Sequence, residues 1–174
     1  MATVAWSTSE YLPSEEIIKL LNTTWTNNTD GVPDKPTLIE ASGTGVDNAA
    51  DPVRFDLNMA DVIIARPGSP AFEEQPIGNW IYGNRNWNVE LEIYAQTRTV
   101  DGNSVHGKQQ LYNMMREIRR MCHANRVMPT TSKFQRLQFL NFTVETQQAV
   151  NVWYGTINLQ LVNMAVPLET AWSD

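Results

Sequence analysis

Glu90 and Glu92 are the residues whose types and spacing most invite a chemical reading. They lie two apart in Trp87-Asn88-Val89-Glu90-Leu91-Glu92-Ile93-Tyr94-Ala95-Gln96, so an extended backbone sets both carboxylates on one face, as a general acid–base pair requires. The simpler reading is a charged strand face answered by Lys or Arg across the sheet or across a subunit boundary. His106 and His123 stand seventeen positions apart, and no Cys or carboxylate at ligand spacing completes a metal site. Asp30, Asp34, Asp47, Asp51 and Asp56 do not follow the spacing of a calcium loop and read as solvated charge. Cys122 is the single cysteine, which excludes an intrachain disulfide and reads as packing on an apolar helix face. Gly43-Thr44-Gly45 and Gly102-Asn103 lack the Lys-Ser/Thr signature of a phosphate loop, and no Gly-x-Ser-x-Gly elbow occurs. No catalytic, cofactor-binding or metal-binding residue is therefore assigned, no cofactor is expected, and an enzyme is not the expectation.

Charge is distributed unevenly. The net charge of -6 opposes nucleic-acid binding through bulk charge. Seven of the 13 Lys and Arg, however, lie between Lys108 and Arg136, where Glu117 is the one acid. A locally basic surface on an acidic body follows. It reads first as a solvated helix face with cations near the negative end of the helix dipole, and only second as a DNA contact.

The elements that must position these residues follow from periodicity. Trp87, Val89, Leu91, Ile93 and Ala95 alternate as one buried strand face. After the turn-prone Asp101-Gly102-Asn103-Ser104, the spacing of Leu111, Met114, Met115, Ile118, Met121 and Cys122 predicts a helix over about 107–125. Pro13-Ser14-Glu15-Glu16 predicts an earlier, shorter helix capped by Ser14. Thr37 to Glu40 and Asp61 to Arg66 read as strands, the second ending at Pro67-Gly68. The stretches 27–51 and 67–86 read as long loops. In the second of these, Phe72, Trp80, Ile81 and Tyr82 suit an interface. Phe134 to Glu145 is strand-like with a phase slip between Phe139 and Leu140, explained by a bulge or by a strand buried on both faces at its middle. It pairs as a hairpin with the strand Asn151 to Met164.

Residues 1–174 thus form a single α+β domain, with a mostly antiparallel sheet and the helices on one side. The segment Ala2-Thr3-Val4-Ala5-Trp6 is too apolar for a free tail and reads as packing on a neighbour. No run of about eighteen apolar residues is available to span a bilayer, and Met1 to Tyr11 lacks the pattern of a signal peptide, so a soluble protein with no membrane partner is expected.

In this order of elements the chain resembles the tail terminator, or tail-completion, proteins of tailed bacteriophages. The resemblance rests on Trp87 to Thr97 with its Tyr94-Ala95 ending, on the helix from Gly107 to Asn125, and on the closing Trp153-Tyr154-Gly155-Thr156-Ile157-Asn158-Leu159-Gln160-Leu161. It implies a virion protein of the neck, assembled in the host cytoplasm as a homo-oligomeric ring, usually hexameric. Such a ring caps the tail tube and meets a stopper or connector on the head side. Genomic DNA passes through its channel without specific binding. The resemblance further implies Phe72, Trp80, Ile81 and Tyr82 as interface anchors and Arg116, Arg119 and Arg120 as polar partners of acidic residues on a neighbour, with Glu90 and Glu92 as candidates. A stopper or a tail tube protein is the alternative within this class. A small-molecule-binding module or hydrolase is the alternative outside it.

Overall fold

In a computed structural model the described residues are 13–25, 34–40, 61–77, 80–100, 103–130, 132, 134–145 and 151–167, with backbone alone described at 69–77, 80–85, 100, 103 and 163–167. The loop reading of 27–51 and the reading of Ala2 to Trp6 fall mainly outside them.

The elements run α1 (Pro13–Thr24), β1 (Thr37–Glu40), β2 (Val62–Ile77), β3 (Trp80–Gln96), β4 (Arg98–Val100), β5 (Asn103–Val105), α2 (Gly107–Ala124), β6 (Arg136–Val144) and β7 (Val152–Pro167). Five strands form one sheet in the order β1-β2-β3-β7-β6, and β4 with β5 makes a separate two-stranded ribbon. The β1–β2 pairing is parallel and every other pairing is antiparallel. This is an α+β architecture, as the periodicities require.

The alternation predicted for β3 sets the layers. Val89, Leu91, Ile93 and Ala95 are buried on one face, opposite Leu159, Ile157, Gly155 and Trp153 of β7. Both helices pack on that face. Ile17, Leu20 and Leu21 of α1 join Leu111, Met114, Ile118 and Met121 of α2 in a single core cluster.

Two close approaches hold α2 to the sheet. A side chain at Gly107 would bring its first carbon within 2.6 Å of the Trp153 ring and 2.9 Å of the Thr97 backbone nitrogen. Only glycine allows the first turn to sit there, and its N–H donates to Thr97 Oγ1 at 2.9 Å. His106 caps the helix, its Nδ1 accepting from Lys108 N–H at 3.3 Å.

Two readings are corrected. Ser14 is not the cap of α1: it lies inside the helix, fully buried, and its hydroxyl donates to the Glu40 carboxylate of β1. The stretch 67–86 is no loop over most of its length, because β2 continues to Ile77 and β3 begins at Trp80. Its prolines are accommodated by a register shift between Pro67 and Pro70, and past it the two strands pair from Pro70–Trp87 to Ile77–Trp80. An arm of paired strands takes the place of the loop.

The phase slip in β6 resolves as a bulge between Phe139 and Asn141, which leaves Leu140 without a partner on β7. Before it Leu137 and Phe139 face the helices, and beyond it Phe142, opposite Ile157, does so. The slip in the sequence is thus one inserted residue.

Candidate assembly surfaces

Sequence reasoning passed over Asp61, which anchors the first turn of α2. It is 2% exposed and closes the gap between the start of β2, the end of β3 and the first turn of α2. Oδ1 accepts the Gln96 backbone N–H at 3.1 Å, and Oδ2 accepts from the Gln110 side-chain amide at 3.0 Å. Arg98 Nη1 stands 2.7 Å from Oδ1 as an ion pair lying off the hydrogen-bonding line. A buried carboxylate needs such partners to remain charged. Its role is to fix α2 in place.

On α2, Tyr112, Arg116, Arg119, Arg120 and His123 lie on the exposed side. Arg120 is held within the helix, with both Glu117 carboxylate oxygens 3.0 Å from its Nε. That bond raises the Arg120 pKa further above its ordinary value. Glu117 is buried and Arg120 stays half-exposed, so the one acid of the basic run is consumed locally. The Arg119 guanidinium lies 6.0 Å from the centre of the Phe139 ring, a cation–π contact between α2 and β6.

Between these two elements runs an open groove of about 720 Å³, lined by Arg119, His123 and Arg126 on one side and Phe139, Leu140 and Phe142 on the other. Among the described residues no carboxylate lines it. Leu140 and Phe142 are 46% and 48% exposed, unusual for large apolar side chains. Backbone pairing covers only the start of the outer edge of β6, through the Val127–Arg136 bridge and Leu137 N–H to Arg126 C=O at 3.1 Å. From Gln138 onward that edge has no strand partner among the described residues.

Glu90 and Glu92 are on the opposite sheet face from α2. Arg66 Nε donates to Glu92 Oε1 at 2.8 Å, so Glu92 is answered from β2 of its own chain. Tyr94 Oη donates to Glu92 Oε2 at 3.4 Å and its ring tilts against Tyr154 at 4.9 Å. Burial, then the Glu92 charge, then this hydrogen bond push the Tyr94 phenol up to about 12. Burial followed by the Glu92 charge raises Tyr154 as well. Asn158 donates to Asn141 at 2.8 Å and Gln160 to Asn88 at 3.1 Å, so paired amides continue the face. The Arg66–Glu92 ion pair thus ties β2 to β3 on this face.

The anchors read from sequence, Phe72, Trp80, Ile81 and Tyr82, lie on the β2–β3 arm. Their side chains fall outside the described set. Among the described residues no group of three or more His, Cys, Asp or Glu is placed to hold a metal ion. No described helix is long and apolar enough to cross a membrane. Cys122 is buried, which pushes its thiol up to about 12 and leaves it a packing residue.

No protein-family model matches the chain, and no curated protein does. Among solved structures, a chain from the virion of a native gene transfer agent particle superposes with a TM-score of 0.44 at 6% sequence identity, over 93% of this chain and 100% of that one. So distant a likeness carries no functional argument, and the chain's own surfaces must supply one.

Proposed function

We propose that this protein is a structural virion protein of a tailed bacteriophage, a tail terminator that assembles into a ring, caps the tail tube and joins it to the connector on the head side. The ring is hexameric in this reading, and the protein works by assembly and not by catalysis. The observation that carries the reading is the pairing of a small core with two unfinished surfaces. One is the β2–β3 arm, and the other is the β6 edge with exposed Leu140 and Phe142. The element order supports it too: an early helix, a strand ending in Tyr94-Ala95, a helix along the sheet and a closing hairpin.

A stopper would share these surfaces but not bind tube ends. The test is to add the purified protein to purified tail tubes and image them by electron microscopy. A cap at one end of each tube, with further tube growth blocked, is the expected result. Tubes left bare and still growing would refute the terminator role.

A further inference from the structure

We propose that the groove between α2 and β6 is the acceptor for the β2 strand of the arm, residues 71–75, donated by a second copy of this chain. The inference rests on the ring reading and names its contact.

Three observations meet here. Two strand edges stand open among the described residues, and they belong to opposite sides of one sheet. β1 pairs only with Val62 to Ala65, so the outer edge of β2 beyond Ala65 has no strand partner. The outer edge of β6 from Gln138 to Val144 has none either. An open edge is a template for another strand, and native proteins keep such edges short or guarded. Pro70 and Pro76 guard β2, restricting any added pairing to the residues between them, Ala71-Phe72-Glu73-Glu74-Gln75.

The charges match. The donor window holds Glu73 and Glu74 and no cation. Adjacent strand residues project to opposite faces, so one glutamate falls on each side of the sheet it joins. The acceptor has cations on both sides. Arg119 and Arg126 line the groove on the helix face, and exposed Arg136 lies opposite Val162, in the register of the other face. Apolar surface is available for the remainder, since exposed Leu140 and Phe142 face a window that includes Phe72.

The contact is also directional. Donor and acceptor are different surfaces on the same subunit, so each copy gives one strand and receives one. Repetition closes into a ring or runs into a filament, according to the rotation per step. A duplex DNA occupant is disfavoured by the net charge of -6 and by the apolar half of the groove.

The experiment is a charge swap read by light scattering on the full-length protein. Arg119→Glu with Arg126→Glu, and separately Glu73→Arg with Glu74→Arg, should each raise the concentration for half-assembly at least tenfold while circular dichroism stays unchanged. Combining all four substitutions with Arg136→Glu, which reverses the cation of the other face, should restore assembly to within about threefold of wild type. Should either reversal unfold the chain, Arg119→Gln with Arg126→Gln gives the same reading while keeping the apolar stems. A wild type that assembles, with reversed variants that assemble equally well, overturns this contact and leaves the ring intact. A wild type that remains monomeric at every concentration, with tail tubes present as well, overturns both. Retention of duplex DNA that the Arg119→Glu, Arg126→Glu variant loses, with assembly unaffected, also overturns the contact.

Discussion

Asp61 Oδ2 accepts a hydrogen bond from the Gln110 side chain at 3.0 Å, across 49 positions of sequence. That single carboxylate joins the start of β2 to the first turn of α2, while Ile118, Met121 and Cys122 seat the far end of the helix in the core.

Asp61→Ala should destabilise the protein by about 3 kcal/mol, because it leaves the Gln110 amide and the Gln96 N–H without their acceptor and Arg98 without its ion-pair partner. Asp61→Asn should cost about half as much, since an amide oxygen still accepts but no longer answers the guanidinium. Urea unfolding of the three proteins checks this. Equal losses for the two variants would mean that the ion pair, and not the hydrogen bonding, dominates.

Gly107→Ala should cost about 2 kcal/mol, because the added carbon meets the Thr97 backbone nitrogen at 2.9 Å and the Gln96 carbonyl carbon at 3.0 Å. Backbone cannot move aside as a side-chain tip does. The Tm of the variant measures it, and an unchanged Tm would show that α2 is seated less closely against the β3–β4 corner.

Alkali should unfold the protein through Tyr94. Its phenol is raised from 10.0 to about 12 in the fold, so the folded state holds that proton more tightly than the unfolded chain does. The stability this supplies is complete below pH 10 and is lost as the pH climbs through 12. Cys122 adds a loss of the same sign, beginning near its ordinary value of 9.0. Tyr94→Phe isolates the tyrosine: the decline between pH 10 and 12 should become shallower, measured by urea unfolding at each pH. An identical slope would place the Tyr94 phenol in water.

Much of the scaffold was legible because its signals are local. The alternation from Val89 to Ala95, the apolar spacing from Leu111 to Cys122 and the slip beside Leu140 each follow from backbone geometry over a few residues. The arm was not legible, because dense Pro and Gly around Pro67 and Pro70 signal a turn, whereas a bulge carries the strand past them. Asp61 was missed for a different reason. It reads as the polar flank of an apolar run, and its partners Gln96, Arg98 and Gln110 become neighbours only after β2, β3 and α2 have packed. Ser14 has the composition of a cap, yet tertiary contact with Glu40 claims its hydroxyl. The Glu117–Arg120 pair lies one helical turn apart and was within reach of spacing alone.

Self-assembly is read from the mass of the purified protein by light scattering over a range of concentrations. One discrete oligomer near six copies of the 19.7 kDa chain, its mass constant once formed, is the predicted result. A monomer at every concentration, including in the presence of tail tubes, would contradict the account.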